Sequence, residues 1–158
     1  METKNNLEGL GGWLILVGLV VITYPVFSFF NLHAYIPFLS APGQWDLLTN
    51  PTNEEYDALY STFVFAKFSV TAILLGISAT LAWAFLSKKR IFPKMFIAIL
   101  LAAPVVALVD AKIVNHFFPD EEVFSRDIIE ELLNYIFGIV VWIPYLLVSK
   151  RVAITFTK

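Results

Sequence analysis

Four long apolar runs, separated by short polar stretches, dominate this chain of 158 residues. The first follows Gly9-Leu-Gly-Gly-Trp13 and lasts to about residue 30. The others cover about 58–86, 93–118 and 128–148. Each supplies the roughly 20 mostly apolar residues that a helix needs to cross a bilayer. Lipid offers no hydrogen-bond partners, so a single run can span it only as a helix that satisfies its own backbone. The pattern predicts an all-α, polytopic membrane protein with four transmembrane helices. The first run is longer than the apolar core of a signal peptide, and Leu32-His33-Ala34 is a poor cleavage site. It is therefore expected to remain as the first helix.

The segments between the runs differ in character. Residues 31–57 contain Pro37, Pro42, Gly43 and Pro51, which break a continuous helix. Tyr35, Phe38, Trp45, Leu47 and Leu48 in the same stretch suggest short pieces lying in the headgroup layer. The turn at 87–92 is tight and basic, with Lys88, Lys89 and Arg90, and Lys94 follows it. Residues 119–127 form a short acidic loop. Ser125 is placed to cap the fourth helix, Pro93 suits the first turn of the third, and Pro104 predicts a kink within it. No repeat divides the chain, which reads as one membrane domain over 1–158.

Composition strengthens this picture. Hydrophobic residues make up 58% and charged residues 15%, with a mean hydropathy of +0.74. That is more apolar surface than one soluble core hides. A net charge of -2 offers no electrostatic footing for nucleic acid. The absence of Cys rules out disulfides, thiolate metal sites and Cys nucleophiles. The position of the charges says more than their sum. Lys4, the basic turn and Lys150, Arg151 and Lys158 lie on one set of connections; the two loops of the other set offer only Arg126 between them. Short Lys/Arg-rich loops stay in the cytoplasm. Both termini and the turn are therefore expected inside, loops 31–57 and 119–127 outside, and the chain in a bacterial inner membrane.

A few polar groups interrupt the apolar runs. At about 1.5 Å per residue, Lys67 lies roughly 15 Å below the outer end of its helix, and Asp110 about 13 Å below that of the third. Lys112, Asn115 and His116 follow on the third helix; Glu130, Glu131 and Asn134 open the fourth. Charges this deep are costly, so they face protein and pair. Lys67 with Asp110, and Lys112 with Glu130 or Glu131, are the expected pairs. Lys67, Thr71 and Ser78 share one stripe of the second helix. Three helices thus offer polar stripes that converge on an outward-facing pocket. A purely structural role, fixing helix register, accounts for the same residues. A metal site built from His33, His116 and nearby carboxylates has no ligand spacing in its favour. The small residues Ala72, Gly76 and Thr80, and Ala103, Ala107 and Ala111, recur every fourth position and predict close helix packing or dimer formation.

No nucleophile elbow, phosphate-binding loop or zinc-protease helix motif occurs. Neither enzymatic activity nor a cofactor is expected. The leading expectation is an accessory protein whose polar pocket holds a lipid, another membrane protein or a second copy of the chain. The alternative is a small oligomeric transporter or channel subunit, with the buried charges as a permeation or proton path.

Two end segments add a resemblance. Gly9-Leu-Gly-Gly-Trp-Leu-Ile15 opens the first helix. Trp142-Ile-Pro-Tyr-Leu-Leu-Val-Ser-Lys-Arg-Val152, with Thr155-Phe156, closes the chain. Together they resemble the bacterial membrane family called domain of unknown function 2569. The Trp45 loop, Phe92-Pro93 and Arg126 fall in matching order, so the likeness spans nearly the whole chain. It implies a four-helix inner-membrane protein without an established activity. Members often carry a carboxylate partway along the second helix, where this chain has Lys67. Read physically, Trp142, Tyr145, Ser149, Lys150 and Arg151 suit an inner interface with anionic headgroups, either as a topology anchor or as a contact for a partner.

Overall fold

A computed structural model of the chain describes residues 9–40, 46, 49–53, 58–117, 119 and 123–157. The headgroup-layer pieces expected around Trp45, Leu47 and Leu48 lie outside the described residues. So do Lys4, Glu54, Glu55, Asp57, Asp120, Glu121 and Glu122.

The described chain is all-α. Its helices are α1 (Trp13–Ser40), α2 (Ala58–Leu86), α3 (Phe92–Phe117), α4 (Arg126–Val148) and a short α5 (Lys150–Thr155). The first four are each long and apolar enough to cross a bilayer, and only 11–28% of their apolar windows is buried. Phe27, Phe30, Leu133, Phe137 and Val140 stand exposed along them. In water so much exposed apolar surface would be an aggregation hazard; in lipid it is the solvated face. The chain is a multi-pass membrane protein.

Two compact units are present: Ile15–Trp83, and the segment ending at Leu14 joined to the chain from Ala84 onward. In the first unit, α1 runs well past the expected end near residue 30. Its 28 residues measure about 42 Å against a hydrocarbon core of about 30 Å. Asn31 and His33 therefore mark where the helix leaves the apolar zone, not where it stops. Pro25 and Pro37 each remove one backbone donor without ending it, a tolerance common in membrane helices. Farther on, Asn50 organises a turn: the Asn53 N–H donates to the Asn50 C=O at 3.0 Å, and the Thr52 hydroxyl donates to Asn50 Oδ1 at 2.8 Å. Pro51 sits at the second position of that turn, which its fixed φ favours.

In the second unit, α2 ends in a Schellman cap. The Lys88 N–H donates to the Phe85 C=O at 3.0 Å, and the Lys89 N–H to the Ala84 C=O at 2.8 Å. That cap needs a left-handed residue after the helix, normally Gly. Here it is Lys88, with φ 54°. Left-handed backbone costs a non-Gly residue about 1–2 kcal/mol. Lys88→Gly is therefore expected to stabilise the protein by about 1 kcal/mol, as a rise in thermal midpoint.

Ser125 caps α4 as expected, its hydroxyl accepting from the Ile128 N–H at 3.4 Å. Pro93 lies in the first turn of α3, and Pro104 and Pro144 lie inside α3 and α4. Helices α3 and α4 pack on each other. Gly138 is buried there, with Leu100 at contact distance from where a Cβ would stand. Of the two small-residue rows, that on α3 is covered: Ala107 and Ala111 are buried. The row on α2 is not covered within the chain. Gly76 faces open space, and Thr80, also exposed, bonds back to the Gly76 C=O at 2.8 Å. A row of small side chains permits close approach without compelling it.

Candidate functional site

A polar cavity lies between α1 and α2, inside the Ile15–Trp83 unit. It is a cavity of about 430 Å³ lined by polar Tyr24, Ser28, Asn31, Tyr35, Lys67 and Thr71, with Phe27, Ala34 and Leu74 as its apolar wall. Its origin lies in the periodicity of α1. Leu14, Val17, Gly18, Val21 and Ser28 are the buried positions among the described side chains of that helix, and 14, 17, 21 and 28 are spaced three, four and seven apart as one helical face requires. Along this face the residues change from apolar to polar: Tyr24, Ser28, Asn31 and Tyr35 continue it toward the far end. Residues Lys67, Thr71 and Leu74 present the matching stripe of α2. The Tyr35 and Phe68 rings meet edge-on, with centroids 6.1 Å apart, and hold the two helices together at this level.

Hydrogen bonding within the lining is partly committed. The Thr71 hydroxyl donates to the Lys67 C=O at 2.9 Å, which leaves its oxygen free to accept. Ser78, about two turns beyond, is buried and donates to the Leu75 C=O at 2.9 Å. Depth can be counted along each helix. Lys67 lies about 29 Å from Leu86, and Asn31 about 27 Å from Trp13. Both sit near one full hydrocarbon thickness from the end beside the basic turn or the Gly9–Trp13 segment. Counted this way, Lys67 and Asn31 lie near the opposite boundary of an apolar layer of that thickness.

Of the expected polar cluster, only Lys67 belongs to this unit. Asp110, Lys112, Asn115, His116, Glu130, Glu131 and Asn134 belong to the other. Asp110 and Asn115 are half-buried; Lys112, His116, Glu130, Glu131 and Asn134 are exposed. Glu130 accepts from Arg126 Nε at 2.8 Å, one turn away. Glu131 accepts from the Tyr135 hydroxyl at 2.5 Å. These two partners on α4 differ from the Lys112 pairing read from depth alone. His116 lies edge-on to Phe117 at 5.4 Å. Among the described residues, no group of three or more His, Asp or Glu side chains gathers as metal ligands do.

A second site joins the two ends of the chain. Ser149 closes α4 with its N–H on the Tyr145 C=O at 3.0 Å, and opens α5 by accepting from the Val152 N–H at 3.4 Å. One residue thus makes a corner that folds the tail back. The Thr155 hydroxyl, buried, then lies 3.3 Å from both the N–H and the C=O of Gly9. Gly9 and Gly12 have φ of 109° and 59°, backbone that other residues adopt only under strain. Arg151 runs alongside, so close that a Cβ on Gly11 would meet its guanidinium. Trp142 stands edge-on to Trp13 at 6.4 Å and to Tyr145 at 6.3 Å. Lys150 is exposed.

Beneath this clasp, Phe156 enters an aromatic cluster. It stacks on Phe92 at 4.7 Å and meets Phe85 at 5.8 Å; Phe92 also meets Phe85 at 5.0 Å and Phe96 at 5.7 Å. The opening and closing motifs are thus two halves of one structure. Their match to a family model spans residues 7–157, under the description "Protein of unknown function (DUF2569)". The chain belongs to the DUF2569 family. No curated protein and no solved structure matches it. Within this DUF2569 chain, Gly9, Trp13, Trp142, Ser149, Thr155 and Phe156 of the two end motifs build the clasp and the ring cluster beneath it.

Proposed function

We propose that this protein is a non-enzymatic accessory component of a bacterial inner membrane, which holds a lipid or a partner protein in the cavity between α1 and α2. The observation that carries this reading is the lining: one ammonium, an amide and four hydroxyls face a space open at the edge of the apolar layer. Pockets of about 300–1,000 Å³ with a few convergent polar groups are the usual form of small-molecule sites. Lys/Arg bias supports an orientation with the basic turn inside and the cavity facing outward.

Two measurements test the reading. Because the chain lacks Cys, single cysteines can be introduced without background. Thr52→Cys is expected to react with an impermeant maleimide from outside intact cells, and Arg90→Cys only after permeabilisation. The reverse pattern would overturn the orientation. For the activity, mass analysis after purification in mild detergent is expected to find a lipid or protein retained by the parent chain and depleted at least fivefold in Asn31→Leu. Solute flux in reconstituted vesicles that disappears in Asp110→Asn would replace this reading with a transporter.

A further inference from the structure

The turn joining α2 to α3 carries Lys88, Lys89 and Arg90, with Lys94 just inside α3. No Asp or Glu occurs between Asp57 and Asp110, so positive charge is concentrated there. Five residues, 87–91, separate the end of one apolar span at Leu86 from the start of the next at Phe92. A link that short stays at the depth of the headgroups. It is also firmly held. Phe85 and Phe92 flank it, both buried, with their rings meeting at 5.0 Å, and the Phe92 N–H donates to the Lys89 C=O at 3.0 Å. The cations are thus fixed at one level, while Leu86 and Ile91 beside them stand exposed. Lys88 adds a second observation. It fills the left-handed position of the Schellman cap, with φ 54°, where Gly would be the less strained choice. Strain kept at one residue points to a use for its side chain, and what Lys brings to this position is a charge.

We propose that Lys88, Arg90 and Lys94 form a headgroup site for an anionic phospholipid, whose acyl chains lie along Leu86 and Ile91. The site is separate from the cavity between α1 and α2 and does not depend on it. Lys89 already interacts within the chain and is not needed for the assignment. Arg90 presents a planar fork that matches phosphate oxygens, and the two Lys act on them as point charges. The stem of Lys94 can lie along apolar surface while its ammonium reaches the headgroups. A zwitterionic lipid brings its own cation beside the phosphate and gains less from three more. Each basic residue near an anionic surface is worth about fivefold in binding. The position selects a lipid over a soluble acidic partner: such a partner would have to displace the headgroup layer to reach a turn only five residues long. The exposed Leu86 and Ile91 would gain nothing from it.

The test uses the full chain, delipidated in a neutral detergent and titrated separately with three probes. These are a phosphatidylglycerol, a phosphatidylcholine of the same acyl length, and inorganic phosphate. Native mass spectrometry counts what is bound. Phosphatidylglycerol is expected to bind at least tenfold tighter than either of the others. Arg90→Gln combined with Lys94→Gln, both exposed positions, should cut its preference over phosphatidylcholine to less than threefold. Lys88→Gly should weaken phosphatidylglycerol about fivefold while raising the thermal midpoint, and a loss of fold cannot produce that pair of signs. Arg126→Gln removes a cation whose side chain is 89% exposed on α4, and Asn31→Leu alters the cavity. Both should leave the preference intact, so this site and the cavity reading can fail separately. Equal binding of the two lipids would overturn the inference. So would an equal loss in Arg126→Gln, which would mean a diffuse field rather than a site. Inorganic phosphate binding as tightly as phosphatidylglycerol would overturn the lipid assignment, as would an acidic protein that copurifies and blocks the lipid.

Discussion

Replacing Phe92 by Ala is expected to destabilise the protein by about 3–5 kcal/mol, the range for removing a buried Phe. Phe92 is 0% exposed and touches three other rings, Phe85, Phe96 and Phe156. Those rings come from the end of α2, the start of α3 and the residue after α5. No neighbour can collapse into the space without breaking another ring contact, so the cavity term is retained in full. Aromatic pairs add about 0.5–1.5 kcal/mol beyond area burial. The matched control is Phe137→Ala. Phe137 is 66% exposed, and a substitution away from packed or bonded features usually changes stability by under about 0.5 kcal/mol. Thermal unfolding in detergent, followed by size exclusion, should separate the two variants clearly. Equal midpoints would mean that the ring cluster is not a core.

Much of this fold is legible in the sequence, because lipid imposes a simple rule. An apolar run long enough to cross must be a helix, and its ends are marked by caps and charges. Ser125, Pro93 and the Lys88–Arg90 turn are read correctly on those grounds. The far end of α1 is not. Pro37, Pro42 and the polar Asn31 and His33 read as a loop, whereas the helix carries on to Ser40. Polarity reports the solvent around a helix; it does not terminate one. The same misreading hides half of the cavity. Lys67 and Thr71 stand out on α2, but their partners on α1 read as interface aromatics and loop polar groups. The signal was present as spacing: residues 24, 28, 31 and 35 share a face with Val17 and Val21. Helix α5 was also available from Ser149, a good N-cap ahead of Lys-Arg-Val-Ala-Ile-Thr. The clasp was not, since no local pattern says that Gly9 meets Thr155 across the length of the chain.

That clasp changes what the closing segment means. A basic tail such as Ser149–Lys158 invites two readings from sequence, an anchor for topology or a contact for a partner, and both treat it as an appendage. The structure makes it part of a core. Val152, Thr155 and Phe156 are 3%, 2% and 4% exposed. Ending the chain after Val148 would expose the surfaces they cover. Burial of a Val or Phe side chain is worth about 1.5–3 kcal/mol each, and loss of Thr155 removes the partner of the Gly9 N–H at about 1–3 kcal/mol, while the Gly9 C=O keeps the Gly11 N–H. The sum, about 4–9 kcal/mol, rivals the whole stability of many domains, roughly 5–15 kcal/mol. The truncated protein is therefore expected to fail to accumulate in the membrane. The chain bearing Lys150→Gln, an exposed position, which keeps every buried group but removes a charge, should accumulate normally. An appendage would give the opposite pair of results, because its contribution would reside in the charges. Western analysis of membrane fractions at matched expression distinguishes the two. The expected pattern would place the closing motif in the role of fastening first helix to last.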